Sequence, residues 1–129
     1  MLLVGNDLVE INRIRKSMKN PRFCSSILGP TEYLQLKMRG FPVQSVAASF
    51  CAKEAFSKAV GTGLRGFALS EVELLRDANG KPSLKLSGRA LTLALLQQAE
   101  FAVSVTHTKE YAEVIVIGQG QLANEGTKL

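Results

Sequence analysis

The charged side chains of the segment 44–60 are Lys53, Glu54 and Lys58, and its other residues are mostly small or apolar. At about 100° per residue, Glu54 and Lys58 share a stripe with Cys51, so the pair projects from an apolar neighbourhood. One interpretation is an exposed ion pair, which stabilises a helix by roughly 0.2–0.5 kcal/mol. The apolar surroundings favour a second interpretation, a pocket whose carboxylate binds a metal ion and whose ammonium binds a phosphate.

Asp7 is the second carboxylate that suits a metal ion. It follows a short apolar run, Leu2–Val4, which predicts a strand that ends at Gly5-Asn6. With Glu10 three positions later, the residues taken alone favour a helix N-cap. A carboxylate at a strand end can also point into a cleft, and Mg²⁺ binds one or two carboxylates together with substrate phosphates. Asp7 and Glu54 are therefore the candidate magnesium ligands.

His107 is the single histidine and lies among hydroxyl residues in Ser104–Thr108. A lone histidine on a strand is more often a hydrogen-bonded structural residue than a catalyst. Its hydroxyl neighbours can equally gather around a phosphate, since each supplies a donor. The sequence has no Walker loop, no Cys-x-x-Cys pair and no Gly-x-Ser-x-Gly, so nucleotide hydrolysis, zinc sites and hydrolase chemistry have no support.

Positive charge is concentrated in one part of the chain. The net charge is +5, and the segment from Arg13 to Arg39 carries seven basic residues against one acidic residue, Glu32. Such a localised field predicts either a partner with an acidic surface or a solvated helix face. Nucleic acid is a weaker alternative, because no aromatic residues are interleaved for base stacking.

Length and composition predict one domain, residues 1–118, followed by a polar tail, 119–129. The chain has 129 residues, 46% of them hydrophobic, which is enough for a single core. We expect no membrane partner, since no apolar run reaches the roughly 20 residues that span a bilayer and the N-terminal residues do not match a signal peptide. Cys24 and Cys51 lack metal-like spacing, so reduced packing thiols in a cytoplasmic protein are expected.

The strongest predicted element is a helix from about Gln44 to Val60, which Gly61-Thr62-Gly63 ends because glycine adopts the left-handed cap conformation. Asn79-Gly80 predicts the turn of a hairpin. The order of elements predicts an α+β domain in which antiparallel strands pack on the long central helix. The other predicted elements are a helical pattern from Leu8 to Met18, a short helix after Pro30, hairpin strands Val72–Leu75 and Leu84–Leu86, a helix from Ser87 or Gly88 to Gln98, and strands Phe101–Thr108 and Tyr111–Ile117.

Three segments, Val4–Ile14, Phe50–Gly63 and Val103–Ala112, contain the candidate residues in a characteristic order and separation. Together they resemble the holo-acyl-carrier-protein synthase family of 4′-phosphopantetheinyl transferases. The resemblance extends from Leu2 to about Ile117, and the middle segment, FCAKEAFSKAVGTG, is its most specific part. It implies the fold of that family, in its short trimeric form.

The resemblance also implies an activity. Enzymes of this family transfer the 4′-phosphopantetheine arm of coenzyme A to a serine of an apo-acyl carrier protein, release adenosine 3′,5′-bisphosphate, and serve fatty acid biosynthesis. By position, Asp7, Glu54 and Lys58 are implied to be catalytic, with Asp7 and Glu54 holding Mg²⁺. Arg13 and Arg22 are implied to face the acidic carrier protein. The implied substrate-binding residues are Lys53, Lys58, Gly61, Thr62, His107 and Thr108.

By the same resemblance, the site is expected between the subunits of a homotrimer. Three residues depart from the family pattern: Ser49 stands where many members carry an arginine, Asn6 replaces a commonly apolar residue, and Glu113 replaces a small one. The alternative function is a non-catalytic binding module for an acidic protein, which would need only the basic segment.

Overall fold

The computed structural model describes residues 1–120, which form five α-helices and five strands joined in places by short 3₁₀ turns. The helices are α1 (Ile11–Ser17), α2 (Phe23–Ile27), α3 (Pro30–Met38), α4 (Val43–Val60) and α5 (Gly88–Leu96). The strands are β1 (Leu2–Glu10), β2 (Val72–Arg76), β3 (Pro82–Leu86), β4 (Ala99–His107) and β5 (Tyr111–Gly120).

Helix α4 is the centre of the core. Its small side chains let other elements approach its backbone closely, and it ends at Gly61, which has a left-handed φ of 81° that glycine adopts at no steric cost. The predicted helix is confirmed to within one residue, since it begins at Val43 rather than Gln44. The buried alanines of α4 are Ala47, Ala48, Ala52, Ala55 and Ala59.

Strands β1, β5 and β4 form an antiparallel sheet in that order, and the inner face of the sheet packs on α4. Asp7 pairs with Val114, which pairs with Val105, so these three side chains share the inner face. Gly5 lets β1 lie directly against the helix, because a Cβ there would be 1.8 Å from the backbone oxygen of Ala55. The predicted α+β fold, with antiparallel strands on a long helix, is confirmed.

The N-terminal region corrects one interpretation of Asp7. All nine residues of β1 pair with β5, so Asp7 lies within a strand rather than at a helix N-cap. The cap position of α1 is Glu10, which makes no side-chain cap hydrogen bond. The predicted helix from Leu8 was therefore too long at its N-terminal end. β1 has apolar residues on both faces, which hides the period-2 pattern of a strand.

The rest of the chain follows the predicted order. β2 and β3 form the antiparallel hairpin with its turn at Asn79-Gly80. Separately, no helix of residues 1–120 is long and apolar enough to cross a membrane. β5 continues to Gly120, two residues beyond the predicted end of the domain. The remainder of the predicted tail, 121–129, lies outside the described residues.

Candidate active site

Asp7 and Lys58 meet where β1 lies against the C-terminal half of α4. The Nζ atom of Lys58 lies 3.2 Å from Oδ1 of Asp7 and donates a hydrogen bond of 3.0 Å to the backbone oxygen of Asn6. The side chain of Asp7 is 17% exposed and that of Lys58 is 54% exposed. The two residues are 51 positions apart in the chain, so this contact depends on the packing of β1 on α4.

Cys51 is a member of the site that the sequence did not assign to it. Its thiol is buried and lies 3.1 Å from the backbone oxygen and 3.4 Å from Oδ2 of Asp7. Burial, followed by the charge of Asp7, raises the pKa of Cys51 to about 12. The group therefore stays protonated at neutral pH and donates to the Asp7 carboxylate. The available signal was its position on the stripe of Glu54 and Lys58.

Glu54 lies on the same stripe of α4 and is partly buried. Burial raises the pKa of Glu54, and the charge of Asp7 raises it further, while the charges of Lys58 and Arg13 oppose the shift. Two carboxylates are therefore close enough to repel each other. This arrangement suits a divalent cation, whose charge offsets the repulsion.

The donor set fits Mg²⁺ in particular. Asp7 and Glu54 supply hard oxygen ligands, and among residues 1–120 no group of three or more His, Cys, Asp or Glu side chains surrounds one point. A fully protein-built cage is thus not formed by these residues. Mg²⁺ commonly keeps several water ligands and binds one or two carboxylates together with substrate phosphates, so two carboxylates are sufficient.

Lys53 corrects the set of substrate-binding residues implied by the resemblance. Its side chain is completely buried, and its Nζ atom lies 2.8 Å from Oε1 and 2.9 Å from Oε2 of Glu32. It also donates to the backbone oxygen of Val72. Burial lowers the pKa of Lys53, and the charge of Glu32 opposes this shift. An enclosed ammonium with these partners joins α4 to α3 and β2 and does not reach a substrate.

Gly61 and Thr62 lie just beyond the C-terminal end of α4, one turn after Lys58. Their backbone N–H groups donate to the carbonyl of Ser57 at 3.0 Å and 3.2 Å. The hydroxyl of Thr62 donates to the carbonyl of Gly63 at 2.8 Å. The structure therefore places both residues near Lys58, and their contact with substrate stays a prediction.

His107 lies apart from Asp7, at the end of β4. It is exposed and lines a cavity of about 610 Å³ together with Ser49. Thr108 begins the turn to β5, where its Oγ1 accepts N–H groups of Glu110 and Tyr111 at 3.2 Å and 3.0 Å. One chain thus brings together Asp7, Glu54 and Lys58, but not the predicted residues of β4.

Arg13 lies in the first turn of α1, Arg22 directly precedes α2, and both are exposed. The guanidinium of Arg13 lies 5.8 Å from the ring centre of Phe50, and its charge is one of those that act on Glu54. Arg13 therefore adjoins the carboxylate site. A partner that binds these arginine residues would approach from the α1 side.

The chain matches a known protein family over most of its length. The model of a family described as the 4′-phosphopantetheinyl transferase superfamily matches residues 3–114. The chain therefore belongs to this superfamily.

Within it, the relatives are holo-[acyl-carrier-protein] synthases, and the chain is a member of that family. The enzyme of that name from Clostridium botulinum is 40% identical over 106 residues, which cover 81% of this chain and 86% of the relative.

Solved structures give the same result for the fold. The holo-[acyl-carrier-protein] synthase of Neisseria meningitidis matches with a TM-score of 0.82 and 32% identity, over 91% of this chain and 97% of that one. The Bacillus anthracis synthase, solved in complex with coenzyme A (3′,5′-ADP), matches with a TM-score of 0.75 and 31% identity, over 92% and 96%. The resemblance found in the three sequence segments is confirmed.

Proposed function

We propose that this protein transfers the 4′-phosphopantetheine arm of coenzyme A to a serine hydroxyl of an apo-acyl carrier protein. The observation that carries the proposal is the convergence of Asp7, Glu54 and Lys58 at one site within the fold of a phosphopantetheinyl transferase. The relatives bear the name of this activity. The non-catalytic binding module has no comparable support.

The transfer exchanges one phosphorus–oxygen bond for another. The serine oxygen bonds to the pantetheine-side phosphorus, its proton passes to water, and the bond from that phosphorus to the bridging oxygen breaks. Adenosine 3′,5′-bisphosphate leaves with the bridging oxygen. Catalysis of such a step depends mainly on alignment and on neutralising charge.

Each residue of the site has a distinct part. Mg²⁺ held by Asp7 and Glu54 would neutralise the diphosphate of coenzyme A. Lys58 has three donors, of which two bind Asn6 and Asp7, so its partly exposed ammonium can give the third to a phosphate oxygen. The Cys51 thiol binds Oδ2 of Asp7 and keeps the carboxylate turned toward the site.

The basic segment is the proposed binding surface for the carrier protein. Arg13 and Arg22 are exposed, and Arg13 adjoins Glu54. A carrier protein with an acidic surface would be attracted by this field, chiefly through its rate of association. Its serine would then lie beside the diphosphate site.

We also propose that the protein is a homotrimer with its sites between subunits. The outer face of the β1–β5–β4 sheet exposes large apolar side chains, each 36–67% accessible, and such patches commonly mark interfaces. Ser49 and Glu54 project about 140° apart around α4, so the His107 cavity and the carboxylate site of one chain face different directions. The exposed residues are Leu2, Val4, Leu8, Ile115 and Ile117.

The proposed setting is fatty acid biosynthesis in the cytoplasm. Cys24 and Cys51 are both free thiols, which is compatible with a reducing compartment.

A direct assay tests the function. The protein is incubated with coenzyme A, Mg²⁺ and an apo-carrier protein, and the carrier is weighed by mass spectrometry for the added arm. We expect the arm to appear, to depend on Mg²⁺, and to be lost with Asp7→Asn, while Arg89→Gln at an exposed position on α5 serves as control. Binding of the carrier without modification would instead support the binding module.

A further inference from the structure

The outer face of the β1–β5–β4 sheet contains a hydrogen-bonded polar pair among its large apolar side chains. Nδ2 of Asn6 donates to Oε2 of Glu113 at 3.0 Å. Asn6 lies opposite Ile115 in the ladder, and Glu113 lies opposite Leu8, so the bond runs diagonally between two apolar residues. In one chain Asn6 is exposed and Glu113 is partly buried. The pair therefore lies inside the apolar patch that is the proposed subunit interface.

The carboxylate of Glu113 has no cation near it on this face. Strands β1, β5 and β4 contain neither lysine nor arginine, and the other charged side chains that strand alternation places outward, Glu10 and Glu100, are acidic. Within residues 1–120 the salt bridges are Lys53–Glu32 and Lys58–Asp7. Once the face is covered, the carboxylate must therefore depend on neutral hydrogen-bond donors, because a buried charge without partners is strongly unfavourable.

The pair has a donor and an acceptor to spare. An asparagine amide has two N–H groups and a carboxylate has two oxygens, and the bond between Asn6 and Glu113 uses one of each. A second N–H group and Oε1 of Glu113 are left for a partner. Around a closed rotation axis, identical pairs can meet head to tail. Each amide then donates to its own carboxylate and to that of the next subunit, and so separates their like charges.

We propose that the Asn6–Glu113 pair makes assembly selective for copies of this chain, because each pair completes the hydrogen bonds of the pair on the next subunit. The inference rests on the proposed trimer, which uses this face. A subunit with the apolar and small residues that are common at these two positions offers neither the donor nor the acceptor. A mixed interface would leave a carboxylate buried without its second partner, and such polar groups in an apolar interface select the partner at some cost in stability.

The two side chains can be changed without removing a group of the carboxylate site. Asp7 and Asn6 are neighbours on β1, so their side chains point to opposite faces of the sheet. Lys58 donates to the backbone oxygen of Asn6 at 3.0 Å, which any residue at this position supplies. Asn6→Ile and Glu113→Ala therefore act on the outer face and leave the groups that bind Asp7 and Lys58 in place.

The test measures subunit exchange. The wild type is mixed with the double variant, which carries Asn6→Ile and Glu113→Ala together, and native mass spectrometry records the composition of the trimers. We expect each protein to form its own trimers and mixed trimers to be at least about tenfold rarer than random exchange gives, the effect of unsatisfied groups in a buried interface. Isotope-labelled wild type, mixed with unlabelled wild type, is expected to exchange at random.

The single variant Asn6→Ile gives an independent measurement. It leaves the carboxylate of Glu113 without an amide, so the trimer is expected to dissociate at concentrations about tenfold or more above those of the wild type. Adding Glu113→Ala is expected to restore assembly, because it removes the unsatisfied carboxylate. Analytical ultracentrifugation measures the dissociation, and circular dichroism checks that each variant is folded. A variant that merely misfolds would not be rescued by the second change.

Three results would contradict these expectations in different ways. Random mixing of a trimeric wild type with the double variant, or equally tight assembly of Asn6→Ile and the wild type, would overturn the inference alone. A monomeric wild type that transfers the arm would overturn the inference together with the proposed trimer. A trimeric wild type that excludes the double variant but transfers no arm would support the inference and reject the proposed activity.

Discussion

Glu54 is the residue whose substitution should separate activity from stability. Glu54→Gln keeps the shape of the side chain but removes a carboxylate whose pKa is raised by burial and by Asp7. We expect transfer to fall by about 100-fold or more, because one of the two proposed metal ligands is lost. Tm should stay equal or rise, because the repulsion between two carboxylates disappears. Mass spectrometry of the carrier measures the transfer, and thermal unfolding measures Tm. A clearly lower Tm for Glu54→Gln would contradict the placement of Glu54 beside Asp7.

The two cysteine residues should differ in reactivity. Cys51 is fully buried and has a pKa of about 12, so about one thiol in 10⁴ is ionised at pH 8, and the thiolate is the reactive form. Cys24 is only partly buried, although burial raises its pKa as well. With iodoacetamide at pH 8 we expect intact mass to show one rapid modification, at Cys24, and a second only after unfolding. Equal rates at both positions would contradict the burial of Cys51.

Single residues were predictable where the signal was local. Glu54 and Lys58 could be paired from their helical spacing alone, and a carboxylate at Asp7 could be proposed as their partner. Lys53 could not be assigned to a face, because its partner Glu32 lies 21 residues away and only the packing of α3 brings it close. Cys51 was missed as a donor because its acceptor belongs to β1.

Among the elements, the buried Lys53–Glu32 pair is expected to fix α4 against α3 and β2. Lys53→Met leaves the carboxylate of Glu32 buried without its cation, which costs about 3–5 kcal/mol of the free energy of unfolding. The double variant, with Lys53→Met and Glu32→Gln together, should lose about 1–3 kcal/mol less of the free energy of unfolding than the two single losses added together. Urea unfolding of the four proteins measures this coupling.

An exposed lysine on α3, the helix that carries Glu32, provides the control for that experiment. Lys37 is exposed on α3, and Lys37→Met is expected to change the free energy of unfolding by less than about 0.5 kcal/mol. If the free energies of unfolding lost with Lys53→Met and with Glu32→Gln simply add in the double variant, the two groups do not interact.

The elements also show which sequence signals were sufficient. α4 was predicted to within one residue because alanine content, length and a terminal glycine all agreed, and Asn79-Gly80 located the hairpin turn correctly. β1 was cut short because Leu8 fits both a helix with Ile11 and the outer face of a strand. The pairing of β1 with β5, more than 100 residues away in the chain, decides between them.

At the scale of the whole molecule, the outer sheet face is the proposed subunit interface. Leu8→Arg places a charge on this face, where Leu8 is 58% exposed in one chain. We expect light scattering to show monomers, circular dichroism to stay unchanged, and transfer to be lost because the proposed site lies between two chains. Leu95→Arg, at a 66% exposed position on α5, is the matched control and should keep the trimer. An active monomer would contradict the shared site.

Assembly is the level that one sequence predicts least. The residues of the outer face are ordinary apolar residues of strands, and their exposure becomes visible only when the sheet is built. Asn6 and Glu113, which depart from the family pattern, illustrate this: their side chains form a 3.0 Å hydrogen bond across β1 and β5 on that face. The sequence identified both departures but not their contact.

The edge of the sheet where β1 starts has a further consequence. Met1 and Gly120 are hydrogen-bonded neighbours, with the amide of Gly120 donating to the carbonyl of Met1 at 2.9 Å. In a chain shortened to residues 1–120, a short peptide can therefore join these two positions, and the exposed Asn79-Gly80 turn can be opened in their place. Such a circular permutant would begin and end within the β2–β3 hairpin and keep every strand pairing. The fold would then not depend on the order in which its segments follow one another in the chain.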